Sequence, residues 1–131
     1  ISTENSASIQ QDDGTWIGGL SYIETTKAYW LRLENSDSTY AVATYETPVE
    51  QIFSLHMGWN LISYLGEDGL LLDEALPDDV EMFFTEIISE GTSAIRENGE
   101  WVGTLATIGW HHLNGYWVNV TQDLEFSFNF I

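Results

Sequence analysis

Cysteine is absent from this 131-residue chain, so no disulfide framework, thiol nucleophile or cysteine-based metal site is available to it. Basic residues are scarce. Lys27, Arg32 and Arg96 face 21 acidic residues, for a formal net charge of −18. Binding to nucleic acid or to an anionic membrane surface needs a basic footprint, and none can be assembled from three cations. No apolar run reaches membrane-spanning length and no basic stretch precedes an apolar core segment, so no membrane insertion is expected. The chain also lacks a Gly-x-Ser-x-Gly elbow, a phosphate loop and any Ser/His/Asp order that stands out. Pairs of carboxylates at glycosidase spacing carry no information among 21 acids. A non-catalytic protein is the expectation.

What is abundant is aromatic. Six Trp, six Tyr and six Phe lift hydrophobic content to 44%, enough for one ordinary domain with a sizeable core despite the charge. The chain also repeats itself. Gly14, Trp16, Gly18 and Leu20 match Gly99, Trp101, Gly103 and Leu105 at an offset of 85, and Tyr29 and Trp30 match Tyr116 and Trp117 at 87. A two-residue loop insertion accounts for the change. Self-similarity of this kind fixes the architecture before any single residue is interpreted.

Turn residues and alternation punctuate both copies as strands. Asp12-Asp13-Gly14 and Asn98-Gly99 are hairpin signals. Residues 29–34 alternate apolar and polar, and residues 39–45 read as the returning partner strand. Residues 57–65 are almost continuously apolar and read as a central strand buried on both faces. A short helix is expected over residues 70–76, stopped by Pro77. Residues 80–89, rich in Phe, Thr and Ile, favour strand, and the last strand, residues 124–130, alternates strictly. The expected fold is mainly β: an antiparallel β-sandwich or partly open barrel with an internal pseudo-repeat and one short helix. Residues 1–6 read as a disordered or linker N-terminus, and residues 7–131 as a single β domain made of a half repeat (7–45) and a full repeat (49–131).

The runs Gly58-Trp59-Asn60-Leu61-Ile62-Ser63, Trp101-Val102-Gly103-Thr104-Leu105 and Gly115-Tyr116-Trp117-Val118, in that order, resemble a repeat module of large secreted and cell-surface proteins of bacteria, many of them marine. In such proteins a "GWNLIS" strand precedes a "WxGxL" hairpin and a "GYW" strand. The resemblance covers residues 53–128 fully and residues 8–33 by the second half of the module. It implies a secreted or cell-surface setting and a non-catalytic spacer, adhesion or assembly role. Expected partners are neighbouring modules of the same protein or a second copy of the chain.

Adjacent aromatics in a strand point to opposite faces, so each Tyr-Trp pair sends one ring inward and one outward. Tyr29, Trp30, Tyr116 and Trp117, with Trp110 in the loop beside them, are therefore candidate ligand-binding residues. They carry the alternative reading, a carbohydrate-binding module with polysaccharide as partner. The blander expectation places Trp16, Trp59 and Trp101 in the core. Glu67, Asp68, Asp73, Asp78 and Asp79 form the densest acidic run and are candidate calcium ligands, although their spacing does not match the twelve-residue calcium loop. No cofactor is otherwise expected. The three histidines, His56, His111 and His112, lack the spacing of a zinc motif. An edge beside residues 7–34 is expected to lack a partner strand, which favours dimerisation.

Overall fold

A computed structural model describes residues 1–34 and 51–129. At 38% strand and 12% helix it is mainly β, with every strand pairing antiparallel, which is the expected class. The returning strand expected over residues 39–45 lies outside the described residues.

Nine strands occur among the described residues. β1 (Ser8–Gln10) and β2 (Trp16–Gly18) form a hairpin that stands alone as a two-stranded sheet. β3 (Phe53–Leu55) pairs with β9 (Leu124–Phe126). The main sheet contains β4 (Gly58–Ser63), β5 (Phe84–Ser89), β6 (Thr92–Glu97), β7 (Glu100–Val102) and β8 (Gly115–Val120), in the order β4-β8-β5-β6-β7. Strict alternation along β8 sends Tyr116, Val118 and Val120 inward and leaves Gly115, Trp117 and Asn119 half-buried.

The core lies between the inner face of that sheet and the β3–β9 pair. Phe53, Leu55, Phe126 and Phe128 meet Ile62, Tyr64, Ile87, Tyr116 and Val118 there. Ring packing is dense, with Phe53 stacked on Phe126 at 5.3 Å and edge-on to Phe128 at 5.2 Å. Offset and edge-to-face pairs at such distances add about 0.5–1.5 kcal/mol beyond area burial.

Among the described residues three short helices appear where one was expected. α1 (Leu72–Ala75) fulfils the helix before Pro77, burying Leu72 and Ala75 while Glu74 accepts a hydrogen bond from Leu71 N. α2 (Asp78–Glu81) takes the start of the segment read as strand, because Pro77 fixes an N-cap and three acids favour a first helical turn. α3 (Thr104–Ile108) follows the second hairpin and sinks Leu105 into the core. Three further expectations are corrected. β4 is at one end of its sheet rather than central, and Leu61 and Ser63 are buried where Glu4, Thr25 and Thr26 of the first repeat bond to them. Residues 29–34 form no strand; Trp30 makes only an isolated bridge to Ser2. The final strand ends at Phe126.

Residues 1–6 are not a linker. Ser2 bridges both Ala7 and Trp30, and Thr3 N donates to Ser6 O at 2.8 Å. The second repeat contains the same contacts: Ile88 pairs Ser93 and Trp117, and Ser89 pairs Thr92. At an offset of 86, Ile1, Glu4 and Ile9 match Ile87, Glu90 and Ile95. The repeat therefore runs back to Ile1, through the positions of the β5–β6 turn. Three identities in nine residues were too few to see without the pairing.

Candidate functional site

The two repeats agree to the level of single hydrogen bonds. Tyr29 Oη accepts from Glu24 N at 2.8 Å, and Tyr116 Oη accepts from His111 N at the same distance. Gln10 Nε2 donates to Gly14 O at 3.3 Å, as Arg96 Nη2 does to Gly99 O. Gly18 and Gly103 have φ of 147° and 130°, and a Cβ at either would collide with the opposing backbone, at Ala7 O and Ser93 O respectively. Glycine is required in both hairpins for one reason, the close approach of two strands. The turns differ by a residue. Asn98 and Gly99, both at positive φ, close a two-residue turn, whereas Gln11 N to Thr15 O closes a three-residue loop braced by Asp13 Oδ1. Those two bonds from Thr15 hold the Asp13 carboxyl below the usual carboxylate range.

Alike in build, the repeats meet along a seam. The open edge of β4 receives Lys27 opposite Ile62, and Ser63 N donates to Thr26 O at 3.2 Å. Ser63 Oγ donates to Thr25 O, and Thr25 Oγ1 donates to Gln51 Oε1 at 2.9 Å. Glu4 completes the join with both carboxylate oxygens: Oε2 accepts from Leu61 N at 3.0 Å, and Oε1 lies 2.5 Å from His56 Nε2. His56 is held protonated to higher pH than an isolated histidine, first by its Nδ1 contact with the Met57 carbonyl and then by Glu4. Asp123, which accepts from Met57 N at 2.7 Å, adds negative charge nearby. Leu61 and Ala28 are both buried here.

The five candidate ligand-binding aromatics are divided by the fold. Trp110 is fully buried, stacked on Tyr64 at 5.3 Å and edge-on to Tyr116 and Phe128. Its backbone explains why: Trp110 N donates to Leu70 O and its carbonyl accepts from Gly69 N, so the loop is pulled down onto the α1 approach. Tyr116 is also buried, which removes both from any surface platform. Tyr29 is half-buried, Trp117 half-buried on the outer sheet face, and Trp30 open at 54% exposure. Conversely, Trp16 and Trp59 are exposed rather than in the core, and only Trp101 of the three packs against it. Burial pushes the Tyr64 hydroxyl up to about 12, and raises Tyr116 as well.

Each repeat also carries one apolar stripe on its outer face, which the sequence reading missed. Ile9 pairs Ile17 in the first and Ile95 pairs Val102 in the second, and all four are exposed. The signal was present in the alternation of each hairpin strand, but its sense depends on which face is covered.

The candidate calcium ligands lie at three separate places. Glu67 and Asp68 are in the turn after β4, Asp73 is on α1, and Asp78 and Asp79 are on α2. Among the described residues no three acids or histidines form a metal-holding group. Asp68 is instead engaged locally, accepting from His112 N at 2.6 Å with His111 Nδ1 3.6 Å away. A shallow trough of about 500 Å³ runs along Ser54, His56, Asp123 and Glu125, open to solvent and without a convergent set of catalytic groups. Among the described residues no helix is long and apolar enough to cross a membrane. Set against protein families, curated proteins and solved structures, the chain matches none of them.

Proposed function

We propose that this chain is a non-catalytic assembly unit of a larger secreted or cell-surface protein, in which repeat modules are joined by strand addition. The carrying observation is the seam. Backbone pairing of residues 26–27 with β4, and the two-pronged Glu4, are contacts that recur naturally when identical modules follow one another. The secreted or surface setting rests on the resemblance of the Gly-Trp-Asn, Trp-x-Gly-x-Leu and Gly-Tyr-Trp runs to bacterial surface modules. Burial of Trp110 and Tyr116 weighs against the carbohydrate-binding alternative, since of its five candidate rings Trp30, Trp117 and part of Tyr29 are left for stacking on sugar.

Two measurements test this reading. Amide exchange should show Leu61 and Ser63 strongly protected, although they sit on an edge strand, because the first repeat covers them. A glycan array should give no retention. Specific retention of a polysaccharide, lost on Trp30→Ala or Trp117→Ala, would replace assembly with carbohydrate binding. Cofactor independence follows the same reading: millimolar calcium and sodium at matched ionic strength should raise the melting temperature equally, through screening of the −18 charge. A calcium-specific rise would restore the acidic residues as a site.

A further inference from the structure

The inner face of the second hairpin shows what the inner face of the first is shaped to receive. In the second repeat, Trp101 Nε1 donates to Glu81 Oε1 at 2.8 Å, and Arg96 Nη2 lies 3.7 Å from the same oxygen. Val80 and Leu70 pack on the same core as Trp101, so the α1–α2 segment forms a lid over that hairpin face. Arg96 and Glu81 are mostly shielded beneath it, at 18% and 12% side-chain exposure.

The first hairpin presents the same face, and among the described residues nothing lies over it as a lid. Gln10 pairs Trp16 as Arg96 pairs Trp101, with the same side-chain bond back to the turn carbonyl. Yet Trp16 is 52% exposed and Gln10 is exposed, where Trp101 is half-buried and bonded to Glu81. A half-exposed indole beside a preset carboxamide, in the register that Trp101 and Arg96 hold beneath Glu81, is a half-built contact.

We propose that this face, Gln10 and Trp16 with the β1–β2 backbone, is a docking site for the α1–α2 segment of another module of the same kind. The acceptor at the position of Glu81 would take the Trp16 indole proton. Gln10 stands where Arg96 lies 3.7 Å from Glu81 in the second repeat. The proposal rests on the assembly reading and adds to it: the seam supplies backbone pairing, and the lid supplies side-chain recognition.

The repeat equivalence dictates the test. Because Ile1 stands where Ile87 stands, a copy of residues 51–86 joined directly before Ile1 of the full chain recreates the native connection of the module. The readout is exchange of the Trp16 indole proton, assigned by its loss in Trp16→Phe. Exchange should slow by at least about ten-fold in the extended chain. That slowing should be lost when Glu81→Ala is made in the added copy alone. An extended chain whose added strand shows protected amides while Trp16 exchanges as before overturns the proposal. Should the added copy not fold, a peptide of residues 70–83 is titrated into the full chain. A saturable shift of the Trp16 indole resonance supports the site, and none up to about 1 mM overturns it. Protection of Leu61 and Ser63 is read in the same spectra, so failure of the lid and failure of the seam are told apart.

Discussion

Trp16 and Trp101 hold the same position in two hairpins built on equivalent glycines and on an equivalent side-chain brace, from Gln10 in one and Arg96 in the other, and they have opposite surroundings. Trp101 is capped by Glu81 and joined to the core, whereas Trp16 is half in water. The flanking residues follow suit: Leu105 is fully buried where Leu20 is only half-buried, and Trp110 is fully buried where Ile23, its equivalent at an offset of 87, is 62% exposed. Local sequence thus builds the hairpin, and burial is decided by what lies above it. Segment 70–83 and the β3–β9 pair cover the second repeat, and among the described residues nothing corresponding covers the first.

Paired substitutions can break that comparison. The largest difference is expected at the loop pair. Trp110→Ala should cost about 3–5 kcal/mol, since it empties the aromatic cluster, whereas Ile23→Ala should stay within about 0.5 kcal/mol. Urea unfolding measures both, and equal costs would mean that the second repeat does not own the core. Next, Trp101→Ala should cost about 2–3 kcal/mol and leave Arg96 and Glu81 poorly paired, against less than about 1 kcal/mol for Trp16→Ala.

A symmetric outcome is expected at the glycines. Gly18→Ala and Gly103→Ala should each destabilise by about 2 kcal/mol, because both positions combine positive φ with a backbone collision. Tolerance of Gly18→Ala alone would show the first hairpin to be loosely closed.

The smallest effect belongs to the seam. His56 has a raised pKa in the folded chain, so its contribution is full below the ordinary histidine value near 6.5 and fades as pH rises through the folded value. Exchange of the Leu61 amide should accordingly quicken above neutral pH, and Glu4→Gln should flatten that dependence. A profile unchanged by Glu4→Gln would show that the histidine does not act through Glu4. At the alkaline end, the Tyr64 hydroxyl at about 12 makes stability fall between roughly pH 10 and 12, and Tyr64→Phe should reduce that loss.

The repeat, the hairpin turns and the helix before Pro77 were legible because each is a local matter. Asn-Gly sets two left-handed residues, proline ends a helix, and a glycine that meets opposing backbone recurs wherever the hairpin recurs. Residues 1–6 were misread as a linker because a turn carrying one bridge on each side leaves no periodicity to detect. The α3 turn was missed since five residues are too few for a helical pattern to show.

Local residue patterns suffice for the mainly β class, the internal repeat and the outward-inward split of each strand, all consequences of a two-residue period and of turn chemistry. Only the tertiary structure decided which tryptophans are interior. Trp16 and Trp101 stand in the same Trp-x-Gly-x-Leu run, and Trp110 looks like a loop residue until Gly69 and Leu70 draw it beneath Tyr64. Burial depends on contacts distant along the chain, and the seam adds its own, carrying Glu4 to His56 and Leu61 across more than fifty residues.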